Sequence, residues 1–288
     1  MSTAGQAAQP PAASVIVPAH NEERVIARLL DALVGPDPEA FEVIVVCNGC
    51  NDGTAEVASA YGGRVRVIEI EEASKRKALR RGNGEATTFP RLLVDADVQL
   101  GADSARRLIE AVQDGPQLAS APRRSVPLSG ANRFVRWYYD VWLRLPQVVD
   151  GLFGRGVIAL SEAGSERVQG LPEVMGDDLA ASEAFEPAER VIVNEATVVI
   201  WPPTNLRDLH RRRVRAATGN AQADRVGLRR KSSVTSLSAL TRLARTEPRI
   251  ILRFPIFIGV TAAAQLAARR AIRAGDYDTW LRDDSSRR

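Results

Sequence analysis

The feature that most constrains this chain is an apolar run that ends in two aspartates. Leu92, Leu93 and Val94 predict a short buried strand, and Asp95 and Asp97 follow with one residue between them. Side chains two apart in an extended segment point the same way, so both carboxylates can serve one ligand. Because close like charges repel and hard cations prefer oxygen ligands, we expect a divalent metal (Mg²⁺ or Mn²⁺) carrying a phosphate group. Taken alone, the pair could also be a solvated turn.

Strand and helix patterns alternate through the first hundred residues. Apolar segments predict strands at 14–17, 43–46, 65–70 and 92–94. Between them, helices are expected at 22–33 with Asn21 as N-cap, at 52–61, and at 74–81 with Gly82 ending the helix. This order predicts an α/β fold with a mostly parallel sheet flanked by helices. Ligands of such sheets bind at the carboxyl ends of the strands, where Asn21, 47–50 and the two aspartates fall.

The alternation stops after Leu100. Helices are predicted at 103–112 and 205–218, the second ending at Gly219, and strands at 157–160 and 191–200. Gly176, Asp177 and Asp178 should open a short helix, and the loop 151–156 is not a phosphate loop because no Lys-Ser/Thr follows it. Helix 132–145 carries aromatic residues that could form a packing face or a stacking surface for a sugar or lipid acceptor: Phe134, Trp137, Tyr138, Tyr139 and Trp142.

Composition narrows the class of protein. The 288 residues are 45% hydrophobic and 26% charged, which suits one large or two small soluble domains. The two cysteines form no disulfide framework and favour a reducing compartment. Residues 1–13 lack a signal-peptide pattern and are expected to be a disordered tail. Net charge is +4, and 207–231 holds nine basic residues against two acids, which indicates an anionic partner or a solvated helix face.

Six motifs in order resemble those of family 2 glycosyltransferases, over roughly residues 15–220. The stretch 18–22 (PAHNE) resembles P-x-x-N-E, 43–54 (VIVVCNGCNDGT) resembles V-V-D-D-G-S-x-D-G-T, and Lys75 begins a K-x-x-A-L. The pair Asp95 and Asp97 matches D-x-D, Asp177-Asp178 matches the later acidic pair, and 212–216 (RRVRA) stands where processive members have Q-x-x-R-W.

The resemblance implies a GT-A fold and an inverting, metal-dependent transferase that uses a nucleoside-diphosphate sugar and a sugar or lipid-linked acceptor. It implies that Asp97 and Asp95 hold the metal, and that Asp178 is the catalytic base with Asp177 helping to position it. The donor-binding residues that it implies are Pro18, Asn21, Glu22, Cys47, Asn48, Lys75, Asp95, Arg212 and Arg215. Polysaccharide or cell-envelope synthesis is the expected setting.

Three departures from the family pattern matter. Cys47 stands where the family's first aspartate usually accepts a hydrogen bond from uracil, and a thiol is a poor acceptor. Either another group reads the base, or the base is not uracil. Arg80 replaces the asparagine that follows Ala-Leu, and the Gln and Trp of Q-x-x-R-W are missing, which disfavours processive polymer synthesis.

Other classes of protein explain less of the sequence. A nucleotidyltransferase would normally have a Gly-rich basic loop after the first strand, where this chain has 18–22. A thiol redox protein is suggested by Cys47 and Cys50 but leaves the acidic pairs idle. A non-catalytic anion- or nucleic-acid-binding module could use the basic stretch, yet it would not explain the first hundred residues. Nucleic acid is therefore not expected as a partner.

The C-terminal region 221–288 is expected to be a helical extension of a glycosyltransferase domain at 14–220, whose halves are 14–100 and 101–220. Residues 255–274 predict one helix, with an apolar core at 254–268 and a polar stripe of Thr261, Gln265, Arg269 and Arg273. The apolar part is short for a membrane span. It fits either a helix in a membrane interface, through 254–274, or a helix packed on the domain. We expect a cytoplasmic protein, peripheral on the cytoplasmic face in the first case.

Overall fold

A single twisted sheet of eight strands organises the described part of the chain. The structure is a computed structural model, and it describes residues 11–35, 40–113, 115–172, 177–229, 235–273 and 285–287. The strands are β1 (Ser14–Ala19), β2 (Glu42–Asn48), β3 (Arg66–Ile70), β4 (Arg91–Val94), β5 (Val98–Leu100), β6 (Ala119–Ser125), β7 (Val157–Leu160) and β8 (Arg190–Ile200).

The sheet order is β3-β2-β1-β4-β7-β6-β8-β5. The first four strands of that order pair in parallel, as the sequence predicted. β7 runs antiparallel to β4 and β6, and β5 runs antiparallel to β8. The carboxyl ends of β2, β1 and β4 are therefore neighbours, and the polar segments that follow them share one edge of the sheet.

Eleven α-helices are present in the described ranges. They are α1 (Ile26–Val34), α2 (Thr54–Ser59), α3 (Lys75–Glu85), α4 (Ala102–Gln113), α5 (Arg133–Trp142), α6 (Pro146–Asp150), α7 (Glu162–Gln169), α8 (Asp177–Glu183), α9 (Leu206–Arg225), α10 (Leu237–Thr246) and α11 (Phe254–Arg273). The apolar stripe of α1 (Ile26, Leu29, Leu30 and Leu33) is fully buried, which is why this segment is helical and packs on the sheet.

Three predicted helix ends are wrong because tertiary contacts override local signals. Helix α1 begins at Ile26, not at Glu22, and Asn21 has a φ of 54° instead of capping it. Gly82 lies inside α3, where an added Cβ would approach Ile16 Cγ2 to 2.4 Å, so glycine allows the helix to touch β1. Gly219 is buried within α9, which continues to Arg225.

Two predicted boundaries also move. The backbone N–H of Ala12 donates to Ala40 O at 3.0 Å and Ala13 is fully buried, so the tail does not extend to residue 13. Residues 1–10 lie outside the described ranges. A domain boundary at Asn220 would cut α9. We propose instead that the transferase domain ends after α9, and its division into halves remains a proposal.

The aromatic residues of α5 are mainly a packing face. Tyr138 and Tyr139 are buried, and the Tyr138 ring stacks on Phe257 of α11 with ring centroids 5.3 Å apart. Trp142 is partly exposed and forms an edge contact with Tyr139. The packing interpretation therefore accounts for Tyr138 and Tyr139, while Trp142 remains available to a ligand.

Helix α11 both packs on the domain and leaves an apolar surface exposed. Phe257, Ala264 and Ala268 are buried, whereas Ile258 and Leu266 are about half exposed, at 50% and 52%. The stretch Pro248–Arg273 is long and apolar enough to cross a membrane by length and composition alone, and 17% of its most apolar window is buried. One face of the helix therefore packs on the domain, as one of the two interpretations of the sequence expected. The exposed face leaves the membrane-interface interpretation to be tested.

Candidate active site

The first strand end forms a tight turn that is held by the second. Asn21 Oδ1 accepts a hydrogen bond from the Asn51 N–H at 2.8 Å, and the Glu22 N–H donates to Thr54 Oγ1 at 2.7 Å. Asn48 is buried and donates from Nδ2 to Ala19 O at 2.8 Å. These bonds require the left-handed backbone of Asn21, a conformation that asparagine tolerates better than most residues. The two strand ends therefore form one rigid rim.

The Asp95 carboxylate is paired with the lysine that begins α3. Lys75 Nζ lies 2.8 Å from Asp95 Oδ1. The Asp95 N–H donates to Gly156 O at 2.7 Å, and a Cβ on Gly156 would approach Asp95 Oδ2 to 3.2 Å, so the glycine permits this close approach. The pair brings together two sequence-predicted residues that lie twenty positions apart in the chain.

Asp97 lies in a concentration of positive charge. Its Oδ2 is 3.2 Å from Arg287 Nη2, and its backbone carbonyl accepts from Arg28 Nη2 at 3.3 Å. Burial by itself raises the pKa of Asp97. The opposing effect of Arg287, followed by Arg212, Arg215 and Lys75, holds that pKa below its ordinary value. Asp97 is therefore an anion whose surroundings are built for negative charge.

The two α9 arginines flank this carboxylate. Burial lowers the pKa of Arg215, and the neighbouring Arg212 lowers it further, while Asp97 raises it. Arg212 Nη1 donates to Trp201 O at 3.2 Å. Two clustered guanidinium groups beside one carboxylate leave an excess of positive charge, which suits a bound polyanion.

Asp178 is fixed by two backbone N–H groups. Its Oδ2 accepts from Gly154 at 2.9 Å and its Oδ1 accepts from Leu179 at 2.8 Å. The glycine-rich loop 151–156 therefore holds Asp178 through Gly154 and Asp95 through Gly156. Asp177 begins α8, and its side chain lies outside the described part of the structure.

Two cavities meet these residues. One is lined by Asp178 together with Asp95, Lys75, Pro18 and apolar side chains of β4 and β7. The other is lined by Asn21, Glu22, Asn51, Asp52 and Arg287. Six predicted site residues thus line one or the other of these two cavities, whereas Asp97, Arg212 and Arg215 line neither.

Cys47 occupies a different environment from the one expected of a base-reading residue. Its side chain is 1% exposed and belongs to the main hydrophobic core, so it presents no surface to a ligand. Cys50 is only partly buried and accepts a hydrogen bond from the Asn21 N–H at 3.4 Å. Of the two thiols, Cys50 is the better placed to face the Asn21 turn.

The two sulfur atoms share a hydrogen bond that separates their acidities. The bond from Cys47 lowers the pKa of Cys50 to about 6, although burial opposes this shift. The same bond, followed by burial, raises the pKa of Cys47. Cys50 is therefore the first of the two thiols to lose its proton as the pH rises.

We expect this asymmetry to appear in alkylation by iodoacetamide. Because the thiolate is the nucleophile, modification of Cys50 should rise with pH through a midpoint near 6, the value to which its pKa is lowered. Cys47 should remain unmodified in the folded protein. Peptide mass spectrometry across a pH series measures both sites, and Cys47→Ala is the control, since loss of the donor should raise the Cys50 midpoint. Equal modification of the two thiols would contradict this assignment.

A divalent metal fits the aspartate pair only with help from a ligand. In the described ranges, no group of three or more His, Cys, Asp and Glu residues could hold a metal ion. Asp97 and Asp95 supply two carboxylates at most. Magnesium sites of this kind use one or two carboxylates and complete their coordination with water and substrate phosphates. The residues present therefore suit a metal that arrives with a diphosphate.

Three arginines near the site were not indicated by any sequence pattern. Arg28 stacks on Trp201, with its guanidinium carbon 3.2 Å from the ring centroid. Arg124 stacks on Trp142 at 5.1 Å and donates to Phe153 O at 3.0 Å. Arg287 lies 265 positions from its partner Glu22. Only tertiary structure brings such pairs together, so periodicity and local motifs hold no signal for them.

A model of a known protein family matches most of the first half of the chain. Residues 14–153 match the model of "Glycosyl transferase family 2". This stretch belongs to glycosyl transferase family 2. It contains the Asn21 turn, Lys75 and the Asp95 and Asp97 pair, and it ends before Gly154 and Asp178.

Related proteins agree with the assignment. The chain is 39% identical over 98 residues to a dolichyl-phosphate beta-glucosyltransferase of Drosophila melanogaster, a match that covers 29% of this chain and 30% of that protein. A mannosyltransferase of Pyrobaculum calidifontis, solved with GDP-Man and Mn²⁺, has a TM-score of 0.62 at 22% identity and covers 93% of this chain and 76% of that one. The chain thus spans about a third of the length of the curated relative.

A second structural neighbour is glucosyl-3-phosphoglycerate synthase of Mycobacterium tuberculosis, solved with Mn²⁺, UDP-glucose and phosphoglyceric acid. Its TM-score is 0.56 at 20% identity, and the match covers 76% of this chain and 81% of that one. At these identities the structural likeness establishes the fold. The GT-A fold expected from the motifs is confirmed, and the fold of the glycosyltransferase domain extends beyond the family match into the C-terminal helices.

Proposed function

We propose that the protein is an inverting, non-processive glycosyltransferase that transfers a sugar from a nucleoside-diphosphate sugar to an acceptor hydroxyl. One observation carries this proposal: Asp178 lines the same cavity as Asp95 and Lys75. A carboxylate base and a diphosphate-binding pair facing one space is the arrangement that a single displacement requires. The solved neighbours named above bind GDP-Man or UDP-glucose, which supports this donor class.

The donor diphosphate would lie at the cluster around Asp97. When the anomeric C–O bond breaks, negative charge grows on the leaving diphosphate, and preorganised cations lower the barrier. Lys75, Arg212 and Arg215 supply that charge in the described structure. A divalent metal held by Asp97 and Asp95 would add to it when bound. Asn21 and Glu22, in the second cavity, are proposed to contact the nucleoside side of the donor.

Asp178 would act as the general base. Its two backbone hydrogen bonds fix the carboxylate and leave further lone pairs for an acceptor hydroxyl. The acceptor oxygen would attack C1 on the face opposite the leaving group, so the configuration inverts while the proton passes to Asp178. The leaving diphosphate takes the electron pair of the broken bond. Base catalysis of this kind typically contributes about 10²–10⁴-fold.

The acceptor is proposed to carry an anionic group. Arg124 lies behind the loop that holds Asp178, and its Nε and Nη1 are buried without a hydrogen-bond partner among the described residues. Burial, followed by the nearby Arg155, lowers the pKa of Arg124 to about 9. An anionic acceptor group that reaches Arg124 would give one of these nitrogens a partner, since buried polar groups are normally paired. Phosphoglyceric acid, bound by one structural neighbour, is a molecule of that class.

The exposed side of α11 suggests that the protein works at a membrane surface. Ile258 and Leu266 of α11 are 50% and 52% exposed, and Leu252, which lies just before this helix, is 80% exposed. Arg269, Arg270 and Arg273 lie at the end of α11 and suit anionic head groups. We propose peripheral attachment to the cytoplasmic face, which would give access to a lipid-linked acceptor.

We expect the double variant Ile258→Gln/Leu266→Gln to bind anionic liposomes at least about tenfold more weakly, because inserting each aliphatic side chain contributes about 1.5–3 kcal/mol. Co-sedimentation with phosphatidylglycerol vesicles at low salt measures it. Val149→Gln, which changes an aliphatic residue of α6 that is 52% exposed, is the matched control and should bind normally. If the unaltered chain stays in the supernatant, the membrane proposal is wrong.

A donor screen tests the proposed function as a whole. The purified protein is incubated with UDP-, GDP- and dTDP-sugars, with Mn²⁺, Mg²⁺ or chelator, and released nucleoside diphosphate is measured. The proposal predicts metal-stimulated release from one donor class, faster when an acidic acceptor is added. Release of inorganic pyrophosphate from a nucleoside triphosphate in the presence of a sugar phosphate would instead indicate a nucleotidyltransferase.

A further inference from the structure

A short segment near the C-terminus, Ser285–Arg287, contributes to the cleft, by which we mean the cavity lined by Asn21, Glu22, Asn51 and Asp52. Ser285 and Ser286 are buried, at 6% and 8% exposure, and Ser285 Oγ accepts a hydrogen bond from the Thr204 N–H at 3.0 Å. This contact attaches the segment Ser285–Arg287 to the loop between β8 and α9. Arg287, which follows Ser286 in this segment, forms part of the wall of the cavity beside Asn21 and Asn51.

Arg287 joins two acidic residues from different strand ends. Its Nε donates to Glu22 Oε2 at 2.7 Å and its Nη2 donates to Glu22 Oε1 at 2.9 Å, which is a bidentate pair. The same Nη2 lies 3.2 Å from Asp97 Oδ2. The Arg287 and Glu22 side chains are 11% and 9% exposed, so their pair is shielded from water, whereas the Asp97 side chain is 34% exposed. Among the opposing cations, Arg287 has the largest effect in lowering the pKa of Asp97.

The contact places a guanidinium on the carboxylate proposed to hold the metal. A divalent cation on Asp97 and a guanidinium on the same carboxylate are like charges within a few ångströms, so they oppose each other. We propose that Arg287 occupies the cation position on Asp97 until the metal and the donor diphosphate displace it, and that the Ser285–Arg287 segment leaves the cleft in the loaded state. This inference rests on the proposed metal role of Asp97.

The displacement has a physical partner for each group that separates. Asp97 exchanges a guanidinium for a divalent cation of higher charge. Arg287 exchanges its contacts with Asp97 and Glu22 for water as the segment leaves, and Glu22 remains on the wall of a cavity that water can enter. The segment Ser285–Arg287 therefore couples donor binding to access to the cleft: it covers the empty site and yields only to a ligand that carries its own cation.

Binding of Mn²⁺ in the presence of UDP or GDP tests the competition, measured by calorimetry on the full chain. Arg287→Gln should bind the Mn²⁺–nucleotide about tenfold more tightly, since the competing cation is gone. Arg24→Gln is the matched control: it removes an exposed cation that lines the same cavity and is not among the cations acting on Asp97, and it should change the affinity by about twofold or less. Arg287→Lys should remain close to the unaltered chain, because the positive charge is kept.

A second measurement follows the segment itself, so the test does not depend on one variant folding. In the unaltered chain, hydrogen exchange of the peptide that contains 285–287 should accelerate when Mn²⁺ and the nucleotide are added together, and not with nucleotide alone. Unchanged or weaker Mn²⁺ affinity in Arg287→Gln, or stronger protection of that peptide in the loaded protein, would overturn the inference. Mn²⁺ binding that survives Asp97→Asn would instead overturn the proposed metal role, and the two failures are thereby distinguished.

Discussion

Asp97→Asn should lower sugar transfer by at least about 10³-fold and abolish the stimulation by Mn²⁺ or Mg²⁺. The variant keeps the size of the side chain and removes the negative charge on which Arg287, Arg212, Arg215 and Lys75 act. Without that charge, a metal would lose one of its carboxylate ligands and the leaving diphosphate would lose stabilisation, an effect of several kcal/mol on the barrier. Initial rates with the donor identified by the screen, with metal and with chelator, measure the effect.

The variant should remain folded but become less stable at neutral pH. Because the pKa of Asp97 is lowered on folding, its ionised form stabilises the native state at neutral pH, and this contribution disappears as the pH falls through that lowered pKa. We expect a decrease in Tm of about 2–4 °C, since the ion pair is partly exposed. Asp103→Asn removes a carboxylate that is 92% exposed, and it should change neither rate nor Tm. Full activity of Asp97→Asn in chelator would exclude a metal role for this residue.

The parallel half of the fold could be predicted because its signals are local. Continuous apolar runs predicted β1, β2 and β4, and the structure places them side by side with their polar ends at one edge. The motifs therefore located Asn21, Lys75 and the Asp95 and Asp97 pair correctly at that edge. Their chemical roles remain predictions.

The remaining features depend on contacts that no local pattern encodes. Gly82 was expected to end a helix because glycine is common at helix ends, but it lies inside α3, where it packs closely against Ile16. Cys47 occupies a base-reading position in the motif, but the inward face of β2 buries it. Arg287 follows a segment without readable periodicity, and it reaches Glu22 only because the folded chain returns to the cleft. Sequence alone therefore misplaced three helix ends, assigned the buried Cys47 to the donor site and gave no sign of Arg287.

Asp178→Asn should lower the turnover number about 10²–10⁴-fold while leaving nucleoside diphosphate binding within about twofold. Asparagine retains the shape of the side chain but cannot take the acceptor proton. It can also keep only one of the two present hydrogen bonds, to Gly154 or to Leu179, because its NH₂ group cannot accept from a backbone N–H. Single-turnover transfer measures the chemical step, and calorimetry with UDP or GDP measures binding.

A comparison of two variants separates loss of the base from movement of the loop. Gly154→Ala alters the residue that donates to Asp178 Oδ2 and has a φ of 64°, a conformation that disfavours alanine, but it leaves the carboxylate in place. If Asp178 is the base, Asp178→Asn should be far slower than Gly154→Ala, and the rate of Gly154→Ala should still respond to the acceptor. Equal defects in the two variants would show that Asp178 acts by positioning the loop 151–156, because Gly154→Ala leaves a carboxylate that can still accept the proton. Unchanged turnover in Asp178→Asn would move the base to another group, with Asp177 tested next by the same substitution.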